Sequence, residues 1–275
     1  MLFRTALRVH LAVAFLAAPL AAQTQNTVLF PRFGISAGGY LSDYGTKVRV
    51  DPHVEGLQGT TIDLEKDLGL ASSKTLTRAG LEWRPFQRHE IEVAYYSTQR
   101  RGELNIRKQI VYEDTTYPIA ADVHSRFDID YWDFSYTYWA HQTDSDGIGV
   151  NIGVFGMEFN GELTASAAGI TKTLQQDVKA TVPLPLIGIE GRYGFGDHIA
   201  TSIRGSFLPK VSIRSYQGEA YLARASAEYV FGHSLGIGLA YNYFDLNGSY
   251  DKNFRADLGM TVNGAEGFVH LVFGR

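Results

Sequence analysis

Residues 132–138 read WDFSYTY, and this stretch decides the fold class. Its even-numbered positions are all aromatic, whereas Asp133, Ser135 and Thr137 between them are polar. Alternation of this kind is typical of a β-strand with one apolar and one polar face, because successive side chains of a strand point to opposite sides. The stretch therefore predicts a strand that separates two chemically different environments.

The same alternation recurs from about residue 30 to the C-terminus, and no long stretch has the periodicity of an amphipathic helix. Ile91 and Val93, for example, alternate with Glu90 and Glu92. We predict ten strands, with eight or twelve as the alternatives. The ten lie near residues 30–50, 75–86, 88–104, 121–140, 147–164, 180–195, 198–213, 217–231, 234–249 and 254–273.

The connections between these strands differ in length. Those at 85–88, 141–147, 196–197 and 232–233 are short, whereas those at 51–74, 105–120 and 165–179 are long and polar. Short turns at one rim and longer loops at the other are typical of transmembrane β-barrels, and an even number of strands returns both termini to one rim. We therefore predict an all-β fold, an antiparallel up-and-down transmembrane β-barrel.

The first 22 residues have the features of a secretory signal peptide. Arg4 and Arg8 precede an apolar run at 11–20, and Ala21 and Ala22 offer small residues for cleavage. Residues 23–275 then form one barrel domain. The chain has no cysteine, which excludes disulfides and thiol chemistry, and its net charge of -4 argues against a nucleic-acid surface.

The positions of the lysines distinguish two possible arrangements of the barrel wall, one with the apolar face inside and one with the apolar face outside. In a soluble periplasmic lipocalin-like barrel the apolar face lines the inside, and the polar face, which meets water, should carry scattered lysines. In this chain no lysine lies in the middle of a predicted strand, and all eight lie in or beside the predicted outer connections: Lys47, Lys66, Lys74, Lys108, Lys172, Lys179, Lys210 and Lys252. This distribution favours the transmembrane orientation over the soluble binding barrel.

The predicted inward face combines arginines with carboxylates, and buried charges must be paired to offset the cost of their desolvation. A ten-stranded barrel has little room beyond its own side chains, so we expect these residues to form a static plug, with a polar channel or gate as the alternative. The predicted lumen charge network consists of Arg78, Glu82, Arg84, Glu92, Asp133, Glu190, Arg192, Arg204, Arg224, Glu228 and His270.

Aromatic residues near strand ends predict the girdles that mark the membrane interfaces. The predicted girdle residues are Trp83, Phe86, Trp132, Trp139, Phe195, Phe231 and Phe273.

The first long connection contains the carboxylates Asp63, Glu65 and Asp67. A calcium loop of the EF-hand type requires Gly at its sixth position and Glu at its twelfth, where this chain has Leu68 and Lys74. We therefore expect no metal and no cofactor, and instead a turn or short helix folded over the barrel mouth.

The final predicted strand, GFVHLVF at 267–273, alternates up to a terminal aromatic residue. It resembles the assembly signal that ends bacterial outer-membrane barrels, although Gly274 and Arg275 follow the aromatic. With the export signal and the strand pattern, the mature chain resembles small outer-membrane β-barrels of the OmpA and OmpW types. The resemblance implies location in the outer membrane of a diderm bacterium, contact with its lipid and lipopolysaccharide, and insertion by the barrel assembly machinery.

Asp122-Val-His124 and Asp128-Ile-Asp130 resemble the Asp-x-His and Asp-x-Asp pieces of omptin proteases, which activate a water between them. In that family the two pieces face each other from different strands, but here both lie on one predicted strand, roughly 20 Å apart. We therefore expect no enzymatic activity. The sequence favours a structural or surface-interaction role with a filled lumen, and the alternative is a narrow channel for small or hydrophobic solutes.

Overall fold

The computed structural model describes residues 29–51, 59–105, 110–112, 115–117, 122–167, 170–176, 182–213, 215–232, 234–251 and 255–273. The predicted signal peptide at 1–22 lies outside these residues. The elements are β1 (Phe33–Val50), β2 (Ile62–Asp63), α1 (Leu64–Asp67), β3 (Ser73–Phe86), β4 (His89–Asn105), β5 (Ile110–Tyr112), β6 (Thr115–Tyr117), β7 (Asp122–Gln142), β8 (Asp146–Ala167), β9 (Ile170–Gln176), β10 (Val182–Phe195), β11 (Ile199–Ile213), β12 (Tyr216–Phe231), β13 (Leu235–Asp251) and β14 (Arg255–Phe273).

Ten of these strands close into one antiparallel barrel. Their order around the wall is β1-β3-β4-β7-β8-β10-β11-β12-β13-β14, and β14 pairs with β1 to complete the ring. Phe33 at the start of β1 pairs with Phe273 at the end of β14, so both ends of the barrel lie at one rim. The predicted all-β barrel of ten strands is confirmed.

The rim that holds Phe33 and Phe273 also holds the short turns, and we call it the turn rim. Gly196 and Gly232 in two of these turns have a φ of 62°, a left-handed conformation that glycine adopts without strain. The longer connections meet at the opposite end, the loop rim. There β2 pairs with β1, β9 pairs with β8, and β5 and β6 form a separate hairpin. These short strands were not predicted, because segments of two to seven residues show no clear periodicity. A turn or short helix was expected in the connection where α1 lies.

The outer face of the barrel is a belt of exposed apolar side chains. In β13, Leu239 is 72% exposed whereas the next residue, Ala240, is 6% exposed and faces the interior. All ten barrel strands contribute to this apolar belt, as shown by Ile35, Leu81, Val93, Phe134, Ile152, Ile189, Ile203, Tyr229, Leu239 and Val269. A continuous apolar surface of this size is typical of contact with lipid.

Among the described residues, none of the helical segments has the length and apolar character required to span a membrane.

The apolar belt ends abruptly on the side of the loop rim. Tyr95 pairs with Trp132 in one row across β4 and β7, and the row two residues further along contains Ser97, Asp130 and Glu158. β7 is 21 residues long, about twice the 9 to 11 residues that a strand needs to cross a bilayer. The barrel wall therefore continues beyond the belt as strand extensions with a polar outer face.

The predicted girdle residues occupy two different environments. Trp83, Phe86, Phe195, Phe231 and Phe273 are exposed on the outer face near the turn rim. Trp132 also faces outward, packed over Gly156, at the opposite edge of the belt.

The girdle prediction is wrong for Trp139, because this residue is fully buried inside the barrel. The direction of a strand residue depends on its parity rather than on its closeness to the strand end. Trp139 shares the parity of Ser135 and Thr137, whose side chains are also buried in the interior.

Candidate functional site

The barrel interior is filled by side chains in successive layers along its axis. In β3 the buried Arg78 lies nearer the turn rim than the buried Leu76, and in β10 Arg192 lies nearer that rim than Leu186. We call the charged level the ionic layer. It consists of Arg78, Glu82, Glu90, Glu92, Glu190, Arg192, Arg204, Arg224, Glu228, Glu266 and His270.

Arg204 crosses the lumen. Its Nη2 lies 2.5 Å from Glu92 Oε2 and 2.7 Å from Glu190 Oε2, and its Nη1 donates to Ser135 Oγ at 3.4 Å. Arg204 belongs to β11 and Glu92 to β4, four strands away around a ring of ten. The guanidinium therefore ties nearly opposite parts of the wall together.

Arg192 makes a second connection nearer the turn rim. It pairs with Glu82 at 3.2 Å, with Glu190 at 2.9 Å, and with Glu90. Its Nη1 also donates to the carbonyl oxygen of Leu29 at 3.0 Å. One side chain thus holds β3, β4, β10 and the segment before β1 in a fixed arrangement.

Arg78 and Arg224 both pair with the carboxylate of Glu266, which lies on β14. Arg78 lies 3.0 Å from Glu92 and 3.8 Å from Glu266, and its Nε donates to the Tyr96 hydroxyl at 3.1 Å. Arg224 Nη2 lies 3.3 Å from Glu266. Arg78 and Glu266 are 4% and 1% exposed, and these contacts offset the several kcal/mol that each buried ion loses on leaving water.

Nine of the eleven predicted network residues lie in this layer, among them the pair His270 and Glu228, whose Nδ1 and Oε2 are 3.2 Å apart. The other two form none of the ion pairs that define the layer. Asp133 lines a small cavity with Arg204 and makes no ion pair with any described residue. Arg84 lies at the turn rim, with its guanidinium carbon 5.7 Å from the centre of the Phe30 ring.

Glu90 and Glu266 belong to the ionic layer but were not predicted as members. Both were detectable, because Glu90 shares the inward parity of Glu92, and Glu266 that of His270. A rule that counted every charged residue of inward parity would have included them.

A second level closes the lumen at the turn rim. Phe30 lies edge-on against Trp139, with ring centres 4.9 Å apart, and the Trp139 Nε1 donates to Glu90 Oε2 at 3.2 Å. Gly147 leaves room for the Phe30 ring, since a Cβ there would lie 2.5 Å from it. We call this level the basal stopper; it consists of Leu29, Phe30, Trp139 and Ala200.

An apolar layer fills the interior on the other side of the ionic layer. Its members are Tyr40, Tyr44, Leu76, Ile129, Phe155, Met157, Leu184, Leu186, Leu208, Ala220, Leu246, Met260 and Val262. The ring centres of Tyr131 and Phe155 are 5.3 Å apart, and those of Phe155 and Phe244 are 5.0 Å apart. Phe155 and Phe244 come from β8 and β13, four strands apart around the ring, so their contact also crosses the lumen.

This apolar layer differs from the inward face that the sequence analysis expected, which combined arginines with carboxylates. The difference has a physical reason, because filling a barrel requires bulky side chains, and apolar ones carry no desolvation cost.

The short helix α1 lies at the loop rim between β1 and β4, since β2 before it pairs with β1 and Leu70 after it bridges Gly102 of β4. The sequence analysis expected a turn or short helix in this connection. Asp63 caps the helix by accepting from the Lys66 backbone N at 3.0 Å, and Leu64 is buried. Glu65 Oε1 lies 2.6 Å from Nη1 of Arg100, which is fully buried and also contacts Thr46 Oγ1 at 3.2 Å. These contacts tie the helix to β1 and β4.

Metal binding finds no support in this helix. Within the ranges that the structure describes, no three His, Cys, Asp or Glu residues are grouped as metal ligands.

Two cavities lie within the described lumen. Cavities of about 100 and 80 Å³ lie on the two sides of the ionic layer, and both are lined by Arg78, Arg204 and Arg224. At about 10 to 15 Å³ of such space per water molecule, each cavity has room for several waters. Within the described residues, side chains pack the interior at three levels, the basal stopper, the ionic layer and the apolar layer.

The omptin-like residues all lie on one strand. Asp122, His124, Asp128 and Asp130 belong to β7, and the side chains of Asp122 and His124 are not among those described. Asp128 accepts from Arg126 Nη2 at 2.6 Å. The arrangement does not bring the two pieces face to face.

No family model and no curated protein matches this chain. Among solved structures, it is similar to the outer membrane protease OmpT from Escherichia coli, with 11% identity and a TM-score of 0.56 over 88% of this chain and 96% of that one. It is also similar to the translocator domain of the autotransporter NalP from Neisseria meningitidis, with 10% identity and a TM-score of 0.44 over 84% and 88% of the two chains. The outer membrane protein OprG from Pseudomonas aeruginosa gives 10% identity and a TM-score of 0.36 over 88% and 96%.

Likeness at such low identity concerns the fold alone, because unrelated activities share one architecture. The similarity to OmpT shows that the chain has the fold of an outer-membrane β-barrel.

Proposed function

We propose that this protein is a closed outer-membrane barrel that serves the envelope or presents a surface for interaction, rather than a channel or an enzyme. The observation that carries the proposal is the set of contacts across the lumen, where Arg204 meets Glu92 and Phe155 meets Phe244. A pore requires a continuous water-filled path, and these contacts occupy its cross-section at two levels.

Single-channel recording in planar bilayers tests the closed lumen. The purified barrel should insert without producing conductance steps of porin size, while a porin added to the same bilayer supplies the positive control. A stable open pore would refute the closed lumen and support the narrow channel instead.

A surface role is supported by the strand extensions beyond the apolar belt. On their outer face Gln99, Arg101 and Arg126 are exposed, in contrast to Val93 and Phe134 within the belt. In the proposed orientation, residues 1–22 act as a cleaved export signal, the turn rim faces the periplasm and the extensions face the outside of the cell. The barrel assembly machinery inserts the chain.

Cysteine labelling tests this orientation, and the chain contains no cysteine that would interfere. Arg101→Cys in the extension of β4 should react with a membrane-impermeant maleimide on intact cells. Asp197→Cys, which is equally exposed but lies in a turn at the opposite rim, should react only after the outer membrane is permeabilised. Labelling of Asp197→Cys alone on intact cells would reverse the orientation.

The proposal of a non-enzymatic role is supported by the position of all four omptin-like residues on β7. Peptide cleavage that is lost in both Asp128→Asn and Asp130→Asn would contradict it.

A further inference from the structure

A groove of about 390 Å³ lies on the outer face of the extensions of β12, β13, β14 and β1. Even-numbered positions face inward here, since Thr46 and Met260 are buried, so Lys47 and Asn247 point outward. Both pair in register with Gly259, whose missing side chain leaves a bare patch between them. The groove is therefore a depression in the outer wall and not part of the lumen.

The lining of the groove is polar. Lys47 and Lys210 supply positive charge, Arg49 is paired with Asp51 at 2.8 Å, and Gln217 and Ser249 supply groups that donate and accept hydrogen bonds. The volume falls within the roughly 300 to 1,000 Å³ that is usual for sites of small ligands. An anionic, hydroxyl-rich ligand fits this chemistry.

The groove lies beyond the apolar belt on the same strands, separated from it by one polar row that contains Asp245 and Thr261. Tyr243 precedes Asn247 by four residues on the same outward face, a distance of about 13 Å along the strand. Leu41, Tyr221 and Tyr241 are 65%, 47% and 54% exposed below the groove. A ligand held here has its polar part at headgroup level and an apolar surface beneath it, which points to a lipid rather than to a free anion.

We infer that this groove binds the phosphorylated sugar headgroup of a glycolipid in the outer leaflet, whose acyl chains lie along the belt below. Lys47 on β1 and Lys210 on β11 lie at the two ends of the groove, and each meets one phosphate of the headgroup. Gln217 and Ser249 meet sugar hydroxyls. Glu219 pairs in register with Asn247 within the groove and can accept from the sugar, and Asp257 is paired with Arg255 at 3.3 Å. The inference rests on the proposed orientation, in which the loop rim faces outward.

Binding of bisphosphorylated lipid A to the full-length chain in detergent micelles tests the inference, with dephosphorylated lipid A and inorganic phosphate as the two comparison ligands. Each basic residue near a membrane surface contributes roughly fivefold to the affinity for anionic lipid. We therefore expect Lys47→Gln with Lys210→Gln to weaken binding about thirtyfold. Gly259→Leu, which fills the bare patch, should also weaken it.

Lys66→Gln provides the matched control, because it removes one charge at the same rim from a residue of α1 outside the groove. It should leave the affinity within twofold of the wild type. All variants should keep the difference in gel migration between unheated and boiled samples that a folded barrel shows.

Equal binding of phosphorylated and dephosphorylated lipid A, equally tight binding of inorganic phosphate, or folded variants with unchanged affinity would each overturn the inference. Conductance of the same preparations, recorded in bilayers without lipid A, tests the closed lumen independently of lipid binding. A failure of one proposal is thus distinguishable from a failure of the other.

Discussion

Replacing Arg192 by methionine should destabilise the barrel far more than any exposed ion pair could. Arg192 holds Glu82 and Glu190, and it also pairs with Glu90, which is 1% exposed. Methionine has a similar length but no charge, so three carboxylates would face each other without their shared cation. Breaking a buried pair in this way costs about 3 to 5 kcal/mol of unfolding free energy.

Urea unfolding in detergent, followed by tryptophan fluorescence, measures this loss. Arg126→Met supplies the control, because its partner Asp128 lies on the same strand and the Arg126 side chain is 45% exposed. Exposed pairs are worth about 0 to 1 kcal/mol. The double variant Arg192→Met with Glu90→Gln should recover part of the loss, since it removes one of the unpaired charges. A loss for Arg192→Met no larger than that for Arg126→Met would refute the proposed role of the ionic layer.

Three further predictions concern the two ends of the barrel. Phe30→Ala removes the ring that covers Trp139, so it should cost about 3 kcal/mol of unfolding free energy and shift tryptophan emission to the red. Unchanged emission would contradict the basal stopper. Glu65→Gln weakens the ion pair with Arg100, so it should increase cleavage of the first outer connection by added protease. Unchanged protection would argue against a role of this ion pair in holding α1. The hydrogen bond from Arg49 holds the pKa of Asp51 below its ordinary value, so this contact stabilises the fold above the ordinary pKa and is lost as pH falls through the lowered one. Arg49→Gln should return the pKa of Asp51 towards its ordinary value in a carboxyl titration followed by NMR, and no change would exclude that cause.

The fold was predictable because period-2 alternation survives wherever one strand face is apolar and the other polar. WDFSYTY at 132–138 is the clearest example, and the ten predicted strands agree with the barrel strands to within a few residues at most ends. Parity also indicates which charges share the interior, as with Glu190 and Arg192.

The partners within the interior were not predictable from the sequence. The contact between Arg204 and Glu92 depends on how the sheet closes, which brings β11 opposite β4, and no local pattern encodes that distance. The apolar layer was missed for a related reason. Leu184 and Leu186 share the inward parity of Glu190. In this part of β10 both strand faces are apolar, so alternation no longer indicates which face is inside.

The basal stopper was not predicted, because the sequence analysis placed Phe30 in the first strand, whereas in the structure Phe30 precedes β1 and packs against Trp139. The inward position of Trp139, by contrast, could have been read from its parity.

Nitroxide labels on adjacent residues of β13 test most directly whether apolar side chains meet lipid while the interior is filled. Leu239→Cys and Ala240→Cys place one label on the belt and one inside, in a chain that has no other cysteine. In lipid vesicles, the label at Leu239 should collide with dissolved oxygen, which concentrates in hydrocarbon, and the label at Ala240 should be shielded from both oxygen and a water-soluble nickel complex. Frequent collisions of the Leu239 label with the nickel complex, or free access of that complex to the Ala240 label, would contradict the account.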